Sequence, residues 1–300
     1  MDYAKAFDHV DHGTILKKLS TYGVPEFIIK WMSSFLTNRQ QRVKIADVLS
    51  DWLTLRGGMP QGSWLGPLTF LILIDDLQPQ LLTHKYVDDT TVSEILARNE
   101  TSRMQSALDD LITWSDCNYM NINCKKTKEM ICGPLRKQPP PPLLISNQNV
   151  EQVTSFKLLG VTINNALKWD DHIAAVTSKA AKRLWFLKKL KRAGVSQADL
   201  VYYYHAVIRP VLEYACPVWH TSITGQQSKK LDSIQRRVCQ IILHDRPYND
   251  ACTVLGLSSL HERRQEQCQK LFQQLACNTD NNCITYCRAC VIPEYIAINR

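Results

Sequence analysis

Three hundred residues with 45% hydrophobic and 21% charged side chains suffice to bury a sizeable core in about two domains, which excludes wholesale disorder. A net charge of +8 favours an anionic partner, with nucleic acid first among them. The longest strongly apolar run, Trp64 to Ile74, is about half of the roughly 20 residues that a membrane-spanning helix needs, so it reads as a buried helix and no membrane partner is expected.

In chain order, Ile15, Leu16 and Leu19, then Ile28, Ile29, Trp31, Met32 and Phe35, recur at helical spacing around a break at Gly23 and Pro25, and predict two helices. Alternation predicts strands over Gln41 to Ile45 and Trp52 to Leu55, ahead of a glycine-rich turn and a helix from about Trp64 to Leu77. Tyr86, Val87, Thr90, Thr91 and Val92 predict a hairpin with Asp88 and Asp89 at or near its turn. A helix follows from Met104 to Trp114, then a short strand, and Pro139 to Pro142 form a loop. Two strands are expected around Val150 to Val153 and Leu158 to Ile163. Helical segments then run near 173–191, 197–214 and 226–243. This order predicts an α+β region followed by a helical one. The boundaries are 1–165, 166–260 and a C-terminal helix with a cysteine-containing tail over 261–300.

Two adjacent aspartates in a hairpin repel each other. An acidic turn is one reading, since Asp tolerates turn dihedrals; a divalent cation is the other, since it reverses the cost. Hard carboxylate oxygens suit Mg²⁺ or Mn²⁺. A two-metal site needs a further carboxylate, and the upstream candidates are Asp2, Asp8 and Asp11.

Five blocks then stand in order: "DYAKAFDHVDH", "GGMPQGSWLGPLTFLILIDDL", "YVDD", "NINCKKTK" and "FKLLGVTI". Together they resemble the palm motifs of reverse transcriptases of the non-LTR, LINE type. The resemblance covers residues 1 to 170 and extends more weakly through "VIRPVLEYACPVW". It implies a right-hand polymerase palm, an antiparallel sheet backed by helices, followed by a helical thumb-like region. The implied activity is RNA-directed DNA polymerisation, with an RNA template, a DNA primer, dNTP and Mg²⁺ (or Mn²⁺) as partners and cofactor. Asp2, Asp88 and, less directly, Asp89 align with the metal-holding catalytic carboxylates. Phe7 aligns with the ring that excludes a ribose 2′-hydroxyl, Gln61 and Gly62 with residues that position nucleotide and template, and Lys126 with a lysine that assists the departing pyrophosphate.

Each assignment has a plainer alternative: a terminal residue for Asp2, a core aromatic for Phe7, a turn and helix start for 58–63, and solvated lysines for Lys125, Lys126 and Lys128. The cluster Lys182, Arg183, Lys188, Lys189 and Arg192, with Trp185 and Phe186, is either a nucleic-acid-binding face or a solvated helix surface. The family carries a fingers region before its first palm motif, and the chain opens one residue before Asp2. The expectation is therefore a palm without fingers or endonuclease. It is either a polymerase that needs fingers from elsewhere or a non-catalytic nucleic-acid-binding relic, and palm chemistry leaves a DNA template open as well. Val87 and Trp64 depart mildly from the family pattern.

The eleven cysteines are scattered behind no recognisable leader, so a reduced, intracellular setting is expected, nuclear and cytoplasmic for an active enzyme, and the sequon at Asn99 carries no weight. Cys277, Cys283, Cys287 and Cys290 match no standard zinc spacing, and no metal is assigned there.

Overall fold

The computed structural model describes residues 1–60, 62–97, 100–137 and 139–277. The chain divides into two compact units, Met1–Val153 and Thr154–Arg300, and its content is α+β.

In the first unit, α1 (His12–Thr21) begins where the Asp11 carboxylate accepts the Thr14 N–H at 2.7 Å, which satisfies a donor that the first helical turn leaves open. Asp11 is thereby a helix cap. After the Gly23–Pro25 break, α2 (Glu26–Leu36) follows. The next segment holds β1 (Gln40–Gln41), β2 (Lys44–Ile45), β3 (Val48–Leu49) and β4 (Leu53–Thr54), nested as two antiparallel pairs. The strand expected over Gln41 to Ile45 is thus interrupted and its end folded back, with Ala46 in a left-handed turn conformation at φ 51°.

Helix α3 (Leu65–Ile74) buries Phe70, Leu73 and Ile74 on one side and leaves Leu68 and Leu71 exposed. The expected all-round burial is therefore a one-sided one, and Trp64, which precedes the helix, is 97% exposed. The hairpin β5 (Leu82–Tyr86) and β6 (Asp89–Ser93) closes with Tyr86 opposite Asp89, so its turn is Val87–Asp88 and Asp89 already belongs to a strand. Then come α4 (Met104–Cys117), β7 (Lys128–Glu129), β8 (Leu144–Ile145), β9 (Gln148–Asn149) and β10 (Glu151–Gln152). Among the described residues the strands pair in twos, antiparallel except for the parallel β7–β10 pair.

Residues 1–4 bind these parts together through the main chain. Met1 N donates to the Thr90 carbonyl at 2.7 Å on one side, while Asn123 N donates to the Asp2 carbonyl and Ala4 N to the Asn121 carbonyl, each at 2.8 Å, on the other. Beneath them Tyr3, Ala6, Val10, Ile15, Leu36, Phe70 and Met120 form one buried cluster.

The second unit opens with the hairpin β11 (Ser155–Leu158) and β12 (Val161–Asn164). The strand expected over Leu158 to Ile163 is split by the Leu159–Gly160 turn, both residues having positive φ. Helix α5 (Asp170–Arg192) packs on α9 (Gly225–Ile242) around Ile173, Leu184, Leu187, Leu231 and Val238. Between them lie α6 (Gln197–Tyr203), a π turn at Tyr204–Ile208, α7 (Arg209–Glu213) and α8 (Cys216–Trp219). The expected continuous helix over 197–214 widens into the π turn because Pro210 has no N–H to offer the carbonyl of Ala206 and its ring crowds that group. Helices α10 (Tyr248–Leu255) and α11 (Leu260–Cys277) complete the described chain.

The close fit of residues 57–59 on residues 7–10 makes a quantitative prediction. Gly58 has φ +78°, and a Cβ there would lie 2.8 Å from the Asp8 carbonyl oxygen, whereas Gly62 has φ +81° with open space around it. Gly58→Ala, which adds a clash to the dihedral cost, destabilises the chain by about 2 kcal/mol or more, and Gly62→Ala, which carries the dihedral cost alone, by about 1 kcal/mol. Urea unfolding of the two variants measures the difference, and equal losses would rule out the packing argument.

Candidate active site

Tyr3, which bridges to Ile122, is buried in the core, and beside it a cavity of about 320 Å³ is lined by Asp2, Lys5, Phe7, Asp8, Asp88 and Lys126, with Tyr3 and Ala6. The first palm block and the hairpin turn, some 86 residues apart in sequence, thus meet in one concavity.

Asp2 is fixed on three sides. Its N–H donates to Thr127 Oγ1 at 3.3 Å, its carbonyl accepts from Asn123, and its carboxylate faces Lys126 Nζ at 3.7 Å. Asp2 Oδ1 is buried and accepts no hydrogen bond. Asp88 reaches the cavity from a turn whose first residue, Val87, is held at φ 56°, a costly conformation for a β-branched side chain. Asp89 stands beside them in β6 without lining the cavity. Its carboxyl is raised above the ordinary carboxylate pKa, first by burial and then by the charges of Asp88 and Asp2, with partial opposition from the amino group of Met1.

The three lysines of "CKKTK" separate cleanly. Lys128 Nζ is occupied by Glu151 and the Lys125 carbonyl. Lys126 alone of the three lines the cavity, placed there by a turn in which its N–H and that of Thr127 donate to Asn123. Phe7 lines the cavity, and its ring lies 4.9 Å from that of Phe70. Gly62 is exposed and outside the lining, and Gln61 lies outside the described residues, as do Cys283, Cys287 and Cys290. Lys5 and Asp8 line the cavity. Lys5 carried no sequence signal beyond its place in the first block, while Asp8 was one of three interchangeable upstream carboxylates.

Among the described residues no three His, Cys, Asp or Glu side chains are close enough to share one metal ion. The donor set still fits a hard divalent cation, because Mg²⁺ is commonly held by one or two carboxylates and completes its shell with water and substrate phosphates. Asp2, whose buried Oδ1 accepts no hydrogen bond and lies 3.7 Å from Lys126 Nζ, and Asp88 supply two such carboxylates. Among the described residues no helix is long and apolar enough to cross a membrane.

In the second unit, Lys182, Lys188, Lys189 and Arg192 are exposed, whereas Arg183 turns inward and its Nη1 donates to the Val207 carbonyl in the π turn.

Comparison with known proteins identifies the family. The family described as reverse transcriptase (RNA-dependent DNA polymerase) matches residues 1–163. A second family, described as the N-terminal part of alkylated DNA repair protein alkB homolog 8, matches only residues 169–209, too short a stretch to place the chain in it. The chain is 27% identical, over 81% of its length, to the probable RNA-directed DNA polymerase from transposon X-element of Drosophila melanogaster, and spans 28% of that protein. It is also 27% identical to the RNA-directed DNA polymerase from mobile element jockey of the same species, over 76% of this chain and 26% of the relative. The putative 115 kDa protein in type-1 retrotransposable element R1DM matches at 27% over 79% of this chain and 24% of its own length. The family uses divalent metal ions and binds a nucleic-acid template and primer. Matched over more than half its length, the chain belongs to the reverse transcriptase family, on the branch of the non-LTR, LINE-type retrotransposons.

Proposed function

We propose that the first unit is the palm of an RNA-directed DNA polymerase, which joins a deoxynucleotide to a primer 3′-hydroxyl, and that the second unit serves as its thumb. The observation that carries the reading is the meeting of Asp2, Asp88, Phe7 and Lys126 on one cavity. Asp2 and Asp88 hold the cation, Mg²⁺ or Mn²⁺, while Asp89 adds negative charge behind them. Divalent cations held there would supply two things, one ion lowering the pKa of the primer hydroxyl and a second neutralising the triphosphate and its pyrophosphate leaving group. Lys126, 3.7 Å from Asp2, releases that carboxylate when the cation binds and offers its charge to the departing pyrophosphate. Phe7, held on Phe70, presents a ring edge that a ribose 2′-hydroxyl would strike. Gln61 and Gly62 position nucleotide and template, and the exposed α5 cations hold the phosphate backbone.

Asp89 makes stability depend on pH. Its pKa is raised in the folded chain, so burying the ionised group costs stability as pH rises through the window between the ordinary carboxylate value and the raised one, and the cost persists above it. Without divalent cation, Asp89→Asn therefore melts higher than the parent at pH 7, and the difference vanishes once acid protonates the carboxyl in both states. Mg²⁺ or Mn²⁺ should raise the parent's Tm by several degrees and that of Asp2→Asn with Asp88→Asn far less. Equal cation shifts in parent and double variant would remove Asp2 and Asp88 from the metal site.

Primer extension on poly(rA) with oligo(dT), Mg²⁺ and dTTP tests the activity. Extension should fall by about a thousandfold or more in Asp88→Asn, and Phe7→Ala should raise ribonucleotide incorporation by about tenfold or more relative to deoxynucleotide. A folded chain that binds primer-template without extending it would make the unit a binding module instead.

A further inference from the structure

Far from the catalytic carboxylates in sequence, α5 carries a surface that fold maintenance does not explain. Its inner face buries Ala180, Leu184 and Leu187 in the core of the second unit. On its outer face Lys182, Trp185, Lys189 and Arg192 recur at helical spacing, all exposed. Trp185 and its neighbour Phe186 are 56% and 55% exposed, and their rings stand 4.8 Å apart at 88°. Lys189 Nζ lies 5.3 Å from the centre of the Trp185 ring.

Phe186 also forms a wall of an open groove of about 510 Å³, lined further by Arg183, Tyr203, Ala206 and Val207. The π turn shapes one side of this groove, and Arg183, tied to the Val207 carbonyl, fixes the other. Tyr203 Oη donates to the Arg183 carbonyl at 3.5 Å, so the groove is joined across by hydrogen bonds from both sides.

We propose that this face binds single-stranded nucleic acid, with an unpaired base stacked on Phe186 in the groove, a second aromatic surface offered by Trp185, and the phosphate backbone held by Lys182, Lys189 and Arg192. Charge complementarity selects a polyanion, since the cations flank the two rings on one helix face. The rings select its form. Exposed aromatic faces match unpaired bases, which offer their π faces, whereas in a duplex those faces are stacked on one another and unreachable. An acidic protein would satisfy the cations alone. The inference deepens the proposed function, because it names the form of nucleic acid taken by the second unit, and its test needs neither dNTP nor divalent cation.

The experiment is fluorescence anisotropy of the full chain in EDTA with labelled oligothymidylate, an abasic oligomer of the same phosphate count, and a blunt DNA duplex, over a series of salt concentrations. Oligothymidylate should bind about tenfold or more tightly than the abasic strand, and Trp185→Leu with Phe186→Leu, which keeps apolar area and removes the rings, should abolish that preference. Lys182→Gln with Lys189→Gln should weaken both single strands and lower the salt slope by about 0.7 for each phosphate that a lysine no longer neutralises. Both pairs are exposed, and circular dichroism checks that the variants fold. Equal binding of abasic and base-bearing strands, duplex binding as tight as single-strand binding, or an unchanged preference in the leucine variant would each overturn the proposal, as would no binding at all. None of these results bears on primer extension by the palm.

Discussion

Like charge held together by main chain is the constraint on which the first unit turns. Two unit charges about 4 Å apart repel by about 1 kcal/mol in water and about 4 kcal/mol at the effective dielectric near a protein surface, so Asp2, Asp88 and Asp89 would separate if side chains alone placed them. The backbone prevents it. Met1 and Thr90 exchange hydrogen bonds, and Asp2 and Ala4 are bonded to 121–123. Tyr3, fixed between these anchors, is buried in the core beneath. The hairpin has its own anchor: Lys85 Nζ donates to the carbonyls of Ile74, Asp75 and Leu77 at the end of α3, where helix carbonyls lack internal partners and a cation is favoured. Burial lowers the pKa of that lysine, and the three carbonyls hold it in place nonetheless.

The same arrangement explains why some site residues were legible in the sequence and others were not. Asp88 and Asp89 drew attention because adjacent carboxylates in a strand-rich run repel each other, although an acidic turn accounted for them equally well on sequence alone. Choosing among Asp2, Asp8 and Asp11 required three dimensions: Asp11 caps a helix, while Asp2 and Asp8 reach the cavity. The lysine assignment rested on resemblance alone, since "KK" and "K" one residue apart are chemically equivalent until Glu151, distant in sequence, occupies Lys128. For Phe7 the core reading and the cavity reading do not exclude each other, since the side chain both lines the cavity and lies against Phe70.

In the fold, long helices with one apolar face were readable because period 3.6 survives over many residues. Tight turns without the usual residues were not. Leu159 takes a left-handed conformation without being Gly or Asn, so Leu158 to Ile163 reads as one uninterrupted strand. At Gly160 the reason lies across the unit: a Cβ there would meet the Tyr214 ring at 2.9 Å, and Tyr214 Oη donates to the Leu159 carbonyl at 2.8 Å. The turn is specified by a tyrosine more than fifty residues away, which no local window contains.

Net charge, too, has to be resolved by position before it argues for a partner. Arg264 counts toward the basic excess, yet it is wholly buried, with Nη2 donating to Ser228 Oγ at 3.0 Å and lying 3.6 Å from the Asp232 carboxylate. Arg263 is committed to Glu213 at 2.6 Å, and Arg183 to a main-chain carbonyl. Charges so committed attract no polyanion; they join helices, and removing one partner would strand the other in a poorly solvated place. What remains available on α5 is the sequence cluster without Arg183, and within it one subset is organised around the rings. Lys182, Lys189 and Arg192 share a face with two exposed rings, and the inward turn of Arg183 separates them from the structural cations while shaping the groove beside them. A basic helix becomes a surface with a direction because one of its arginines is spent on the fold.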